Sequence, residues 1–186
     1  DFPAQLIITP DSKLLVADSN NDRILVWTSF PTTNGQSASY EIPLSGYISN
    51  YNNAWPWGVW SNGSKTIVTS TVSGTILLWN SFPSASTPPD VIITSSDIGT
   101  PRSILSNGEY IMFGDENANG DCTGPNGNRS THVYTSWPTS SRDPDACVDN
   151  WVSGVIHENK IYSIPAGGES LYFWDSLYTT SAELKS

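Results

Sequence analysis

Residues 23–31 read RILVWTSFP, an apolar strand that ends in an aromatic residue and a turn. The same pattern returns at residues 75–83, 132–138 and 171–178. The aromatic anchors of the four copies lie roughly 40 to 55 residues apart, which is the spacing of β-propeller blades or slightly above it. These anchors are Trp27, Trp79, Tyr134 and Trp174. The chain is therefore interpreted as a repeat protein, with the anchors as structural residues that fill the wedges between blades.

Each repeat contains short apolar runs separated by turn residues, and no segment has a helical period longer than a turn. The sequence predicts an all-β fold, a β-propeller of four repeats with about four antiparallel strands each. It predicts one domain over residues 1–186, with repeats at approximately 1–50, 51–98, 99–150 and 151–186. The outer strand of the last repeat is expected at 181–184. Four repeats fit either a complete four-bladed ring or part of a larger propeller.

The composition limits the classes of partner. The 18 acidic residues exceed the 8 basic ones, and the formal net charge is −10. Nucleic acids and anionic membranes bind clusters of Lys and Arg, so neither is expected as a partner. No apolar run is long enough for a membrane span.

Cysteines and glycosylation motifs favour a secreted or extracellular location, either free or at a cell surface. Cys122 and Cys147 bracket the longest irregular insertion, and a disulfide between them is predicted, with two buried thiols as the alternative. Asn62 and Asn128 each begin an Asn-x-Ser motif in a turn-like context, which predicts glycosylation.

Residues 15–24, LVADSNNDRI, resemble the signature of the NHL repeat, a propeller blade in which an Asp that ends the second strand faces an Arg that begins the third. The segments at 26–36 and 78–83 resemble a tryptophan-rich variant of this repeat found in secreted microbial proteins. Asp18 and Arg23 span one turn, so they are expected to form a structural pair across it and to hydrogen-bond to loop amides, and the resemblance supports this expectation. The second repeat departs from the signature, with Ser70 and Thr75 at these positions. NHL propellers usually have six blades, which keeps open whether four repeats form a whole ring.

The best metal candidate is the run DENANGD at 115–121. It matches the first half of a calcium loop, with oxygen ligands at alternate positions and then a glycine. The predicted ligands are Asp115, Asn117, Asn119 and Asp121. Calcium is the one cofactor suggested, although the usual Glu at the twelfth position is absent. The alternative is a polar surface loop held by Cys122.

The aromatic run at 55–60 is the candidate binding surface. Strand alternation sends Trp55 and Trp57 to one face and Trp60 to the other. Aromatic residues at the mouth of a propeller could stack on a sugar ring or grip a peptide, with Arg102 as the one charge on the inner strands. The alternative is that these tryptophans fill the wedges between blades.

No residue is assigned a catalytic role. The two histidines, His132 and His157, are isolated in sequence, and no nucleophile elbow occurs. We therefore expect a non-catalytic module that recognises protein or carbohydrate surfaces, or that builds a cell-surface or filamentous assembly through self-association. The alternative is a propeller lyase or hydrolase that uses a metal in the central channel. Such an enzyme should direct several polar groups from the inner strands into the channel.

Overall fold

The structure is a computed structural model that describes residues 2–48, 53–123, 128–149, 152–165, 169–175 and 177. The outer strand expected at 181–184 lies outside these residues. Two short 3₁₀ helices, Ser19–Asn21 and Gly120–Cys122, occur among the strands. No helix in the described part of the chain has the length and apolar character to cross a membrane.

Four antiparallel sheets form the four blades of a β-propeller, which confirms the predicted all-β fold class. In every blade the strands pair in chain order. Blade 1 contains β1 Pro3–Ile8, β2 Leu14–Asp18, β3 Arg23–Trp27 and β4 Tyr40–Pro43. Blade 2 contains β5 Pro56–Ser61, β6 Thr66–Ser70, β7 Thr75–Trp79 and β8 Val91–Thr94. Blade 3 contains β9 Pro101–Ser106, β10 Ile111–Asp115, β11 Ser130–Tyr134 and β12 Ala146–Asp149. Blade 4 contains β13 Val152–His157, β14 Lys160–Pro165 and β15 Tyr172–Trp174.

The first strand of each blade is the inner one: β1 packs against β5, β5 against β9, and β9 against β13. Because side chains alternate along a strand, each blade has two apolar faces. We call the face towards the preceding blade the leading face and the face towards the following blade the trailing face. Three hydrophobic cores lie between the blades, one for each consecutive pair.

Hydroxyl groups join consecutive blades at their inner strands. Ser19 Oγ donates to the carbonyl oxygen of Pro56, and Thr69 Oγ1 donates to that of Arg102 at 2.8 Å. Ser103 Oγ donates to the carbonyl oxygen of Val152 at 2.6 Å. The backbones approach so closely at Gly58 that a Cβ there would lie 2.1 Å from the Arg102 carbonyl oxygen, so only glycine fits. These bonds satisfy inner-strand carbonyls that have no ladder partner on that side.

The aromatic anchors lie on the leading faces, each at the end of a third strand. Trp79 and Tyr134 are fully buried against the preceding blade. Their polar tips donate to loop carbonyls, Trp79 Nε1 to Thr87 at 2.9 Å and Tyr134 Oη to Arg142 at 3.1 Å. Trp27 Nε1 makes the equivalent bond to Gln36 at 3.0 Å, but its ring is only half-buried. The bond pattern is therefore shared by three blades. Trp27, which no blade precedes, is less buried than Trp79 and Tyr134, but Trp174 is also half-buried although blade 3 precedes it.

This difference gives a stability prediction. We expect Trp79→Ala to lower the free energy of unfolding by about 3–5 kcal/mol, because it empties a fully buried site. We expect Trp27→Ala, the same change at the same position of blade 1, to cost less than half as much. Urea denaturation followed by circular dichroism measures both values. Equal losses in the two variants would contradict the proposed role of the preceding blade.

Candidate functional site

Three of the four candidate binding residues, Trp55, Trp57 and Arg102, lie at one end of the propeller, where each inner strand begins and each second strand turns into the third. The register places these points side by side, since Pro3 pairs with Asp18 and Asp18 pairs with Arg23. We call this end the strand-start face. It carries the loops with the most varied sequence, whereas the opposite end carries the hairpins between first and second strands.

Trp57 and Arg102 form the centre of this face. They begin neighbouring inner strands, and the Arg102 guanidinium lies 4.5 Å from the centre of the Trp57 ring. The Phe2 ring is 5.7 Å from the Trp57 ring. Arg102 Nη1 lies 3.5 Å from Glu116 Oε2, and Arg129 Nη2 donates to the same carboxylate at 2.9 Å. The Arg102 guanidinium therefore lies over the Trp57 ring, beside the ion pair of Glu116 with Arg129.

Trp55 lies beside this centre and is tied to blade 1. Its backbone has φ of 45°, in the left-handed region that a bulky residue rarely adopts. Asp22 Oδ1 accepts the amides of Ala54 and Trp55 at 2.9 and 2.8 Å, and the Trp55 indole donates to Asn20 Oδ1 at 2.8 Å. Tertiary contacts therefore hold a strained backbone in place, which is a feature often found at functional sites.

Trp60 follows a β-bulge between Pro56 and Val59, so simple alternation along β5 does not assign its face relative to that of Trp57, and Trp55 precedes the strand. Trp60 packs with the core between blades 2 and 3 and also lines the central cavity. Trp60 is thus separated from Trp55 and Trp57, and the structure does not bring the three rings together.

The central cavity has a volume of about 280 Å³ and is lined by all four inner strands. Its lining is apolar apart from backbone, Gln5 and Ser106. Both polar side chains are already bonded to the protein, since Gln5 Oε1 accepts the Val59 amide at 3.0 Å and Ser106 Oγ donates to the Tyr110 carbonyl at 2.8 Å. None of the described residues around the cavity carries a charge.

The predicted calcium loop begins at a buried residue. Asp115 accepts the backbone amides of Gly99, Thr100 and Asn117 at 2.7, 2.8 and 3.0 Å. Its Oδ2 also lies 3.1 Å from His132 Nε2, and neither side chain is exposed. Both carboxylate oxygens of Asp115 are therefore engaged by protein groups.

The other three predicted ligands follow in the loop. Asn117 Nδ2 donates to Thr100 Oγ1 at 3.0 Å, and Asn119 Nδ2 lies 3.4 Å from the Ile98 carbonyl oxygen. Their amide oxygens and the exposed Asp121 carboxylate are the groups that could bind a cation. Calcium binding remains a prediction.

The predicted disulfide between Cys122 and Cys147 is present. It ties the loop after β10 to the outer strand β12, with Cys122 buried. His132 lies beneath it, with Nδ1 3.9 Å from Cys147 Sγ and its ring stacked on Phe113 at 4.7 Å. The two sulfurs and His132 lie within 4.8 Å of one another, but sulfurs joined in a disulfide have no thiolate to offer a metal.

The asparagines of the two glycosylation motifs are exposed, although Ser130 of the second motif is buried at the start of β11. Asn62 is at the tip of the β5–β6 hairpin, where its Oδ1 accepts the amides of Ser64 and Lys65 at 3.0 and 2.8 Å. Asn128 is exposed in the loop before β11. Both side chains are accessible, and their glycosylation remains a prediction.

The structural pair predicted from the NHL signature has the expected geometry. Arg23 Nε donates to Asp18 Oδ2 at 2.9 Å across the turn, and the hydrogen bond to this carboxylate raises the pKa of Arg23. The sequence also predicted that Asp18 would bind loop amides. Its other partner is instead the side chain of Asn21, while Asp22 and Asp115 bind the backbone amides.

The outer turn of blade 3 has shifted acid–base behaviour of structural origin. Burial raises the pKa of the Tyr134 hydroxyl, which keeps the phenol neutral and able to donate its hydrogen bond. Burial also acts to raise the pKa of Asp145, but hydrogen bonds from Arg142 and Thr135 outweigh it and hold that pKa below the usual value. Arg142 also lies 4.8 Å above the Tyr134 ring. These groups stabilise the outer turn of blade 3. Their pKa shifts therefore have a structural cause, and the strand-start face remains the candidate site.

Sequence reasoning missed three residues of this site: Phe2, Asp22 and Glu116. Phe2 precedes the first predicted strand and carries no motif. Asp22 could have been recognised as a turn residue whose carboxylate binds exposed amides. Glu116 follows the predicted calcium ligand Asp115, but its role as partner of Arg102 depends on a contact between loops that the sequence alone does not reveal.

No protein-family model matches the chain, and the comparison with curated proteins gives no significant match. Solved structures do match in fold. The structure of U3-55K superposes with a TM-score of 0.59 at 12% identity, covering 97% of this chain and 54% of that one. A candidate 6-phosphogluconolactonase from Bacteroides fragilis gives 0.53 at 11% identity, covering 96% and 55%. The computationally designed Ika4 protein gives 0.54 at 13% identity, covering 95% and 92%.

These identities support the propeller fold alone. The chain spans about half the length of the U3-55K and lactonase structures, and most of the length of the designed protein. These neighbours differ in kind, with a candidate lactonase and a designed protein among them, so function has to be argued from the residues of this chain.

The disulfide gives a second prediction. It closes a loop with a sequence separation of 25 residues. We expect its reduction to lower the free energy of unfolding by about 3 kcal/mol, mainly because the unfolded chain gains entropy. Urea denaturation with and without dithiothreitol measures the effect. The double variant Cys122→Ser/Cys147→Ser is the control and should not respond to the reductant. An unchanged wild-type midpoint would show that the bond does not stabilise the fold.

The calcium prediction can be tested by isothermal titration calorimetry. If calcium binds at the loop, titration with CaCl₂ should give a one-to-one binding isotherm. Asp121→Asn should then weaken the affinity for calcium at least tenfold, because the loop loses its exposed carboxylate. Asp175→Asn, which removes an exposed carboxylate in blade 4, is the matched control. Equal weakening by both variants, or no heat with the wild type, would reject this site.

Proposed function

We propose that this chain is a non-catalytic extracellular β-propeller of the NHL type that recognises carbohydrate or protein surfaces through its strand-start face. The stacked pair of Trp57 and Arg102 carries the proposal, since it presents an aromatic ring and a fixed cation beside each other. Sugar rings and peptide side chains both bind such surfaces, through apolar stacking and charge-assisted hydrogen bonds.

The rigidity of the face supports a binding role. The Asp22 carboxylate fixes the backbone at Trp55, and the Glu116 carboxylate lies between Arg102 and Arg129. Side chains that are already ordered lose less entropy when they bind a partner. Loops held by a propeller scaffold are a common location for recognition.

Several observations support the finer parts of the proposal. The ion pair of Asp18 with Arg23 supports the NHL affiliation. The exposed motifs at Asn62 and Asn128, together with the disulfide, support secretion and glycosylation. The apolar lining of the central cavity supports a non-catalytic role, because the alternative of a channel lyase or hydrolase needs converging polar groups there.

A structural role in a cell-surface or filamentous assembly is the second candidate function. It is favoured by the uncovered apolar faces of the two end blades, where Leu6 and Phe173 are exposed. This surface is separate from the strand-start face, so both functions can belong to one molecule.

The binding proposal is tested with a glycan array and a panel of cell-surface proteins. We expect Trp57→Ala to raise the Kd for any ligand found by about 30-fold, which corresponds to the loss of about 2 kcal/mol at a binding hot spot. Arg102→Lys keeps the charge but loses the planar stacking and should weaken binding less. Tyr172→Ala, an exposed aromatic residue in blade 4, is the control. Binding that survives Trp57→Ala would reject the site, and product release from bound glycans would favour the enzyme alternative.

A further inference from the structure

The contact between two blades is repeated three times within this chain, and its residues correspond from blade to blade. On the trailing face of blade 2, Trp60, Ile67 and Leu78 pair across three strands to form one apolar row. Blade 3 covers this row. The equivalent trailing rows are Ile7, Leu15 and Val26 in blade 1, and Leu105, Met112 and Val133 in blade 3. Each of these is covered by the next blade.

Blade 4 has the same trailing row, but it is uncovered. Val155, Tyr162 and Phe173 pair across β13, β14 and β15, and the rings of Tyr162 and Phe173 stack at 6.4 Å. Val155 is 58% exposed and Phe173 is 63% exposed, and on the same face Ile164 is 47% exposed. Leu78 of blade 2, which is equivalent to Phe173, is fully buried, and so is Ile67, which is equivalent to Tyr162. A packing surface is therefore present without its partner.

The leading face of blade 1 is also uncovered. Leu6, Val16 and Leu25 form the leading row, and Leu6 is 61% exposed. The equivalent row in blade 2 is Val59, Val68 and Leu77, which is fully buried against blade 1. None of the six residues in the two uncovered rows is charged, and terminal repeats that end an array normally have a polar outer face. The apolar rows of the two end faces therefore have the chemistry of interfaces. Charged groups flank them: Arg23 with Asp18 and Glu41 on blade 1, and Lys160 with Asp175 on blade 4.

A cation–aromatic contact occurs at the first two of these three interfaces. Lys13 of the first hairpin lies 4.6 Å from the Phe82 ring in the next blade, and Lys65 of the second lies 4.6 Å from the Trp137 ring. In the end blades the corresponding positions are Lys160, which lies 3.2 Å from Asp175, and Phe30, which is 51% exposed. Blade 4 thus carries the cation of such a contact, and blade 1 carries the aromatic ring.

We infer that the trailing face of blade 4 binds the leading face of blade 1 in a second copy of this chain. A second copy is the partner that completes both contacts. Its Leu6 row would cover the Phe173 row, and its Phe30 ring would lie near Lys160. The contact continues the interface already present three times in the molecule. Joined in this way, two copies give eight blades, which is within the four to eight that propellers commonly contain.

The contact is heterologous, because each copy uses a different face on each side. A ring of two copies uses both faces of each and leaves neither row exposed. The inference rests on the structural role proposed above and does not involve the strand-start face. Ligand binding that survives Trp57→Ala, which would reject the binding site, and a wild-type chain that stays monomeric, which would reject the assembly, are therefore separate results.

The test is the mass of the purified 186-residue chain in solution, by light scattering and native mass spectrometry. We expect at least twice the chain mass of 20.2 kDa. Leu6→Lys on the leading face and Phe173→Lys on the trailing face should each give the monomer, because both place a charge in an apolar contact. Val72→Lys is the matched control, since Val72 is 39% exposed in the β6–β7 turn, between strands of a blade covered on both faces. Circular dichroism checks that all variants fold.

Mixing the two face variants distinguishes the head-to-tail contact from others. Leu6→Lys keeps an intact trailing face and Phe173→Lys keeps an intact leading face, so an equimolar mixture should form a species of two chains although neither variant associates alone. A wild-type monomer would overturn the inference and would favour further blades of a longer polypeptide as the partner of these faces. A variant that still dimerises alone, or a mixture that stays monomeric, would also overturn it.

Discussion

Each blade of this propeller depends on the apolar row that it shares with its neighbour. A four-stranded sheet has two apolar faces and cannot bury both by itself, so its stability comes from the blades on either side. Complete burial of one Leu, Ile or Val contributes about 1.5–3 kcal/mol, and each core between blades contains several. The hydroxyl bonds at the inner strands add direction to this packing, because they fix how one blade meets the next.

The same arrangement positions the candidate site. Inner strands that pack side by side bring Trp57 and Arg102 together, although 45 positions separate them in the sequence (102 − 57). The turns after the second strands then surround this pair. Asp22 and Asp115 accept hydrogen bonds from backbone amides of the loops that lead into β5 and β9, so these carboxylates hold the loops of the face in place. A rigid face built on strands is a suitable base for recognition.

The architecture was largely predictable because its signals are local. Alternating apolar residues, Asn-Gly turns and the repeated aromatic anchor reveal strands and blades without any tertiary information. The Asp18–Arg23 pair was predictable for the same reason, since one turn separates its members. The stacking of Trp57 on Arg102 and of His132 on Phe113 was not, because these contacts depend on how blades and loops meet. The residue types therefore indicated which side chains could form the candidate site, but their spatial arrangement could be seen only in the folded structure.

Position in the array also explains differences that residue type does not. Trp27 and Trp79 occupy equivalent positions and make equivalent hydrogen bonds to a loop carbonyl, yet only Trp79 is fully buried. In a repeat protein the stability of each unit is the sum of its own stability and that of its contacts with neighbours. The end blades have one such contact instead of two, so they are the units whose stability any partner at the Leu6 and Phe173 faces would raise most. Because a partner that binds only the folded state stabilises it by mass action, assembly and folding of these two blades are thermodynamically coupled.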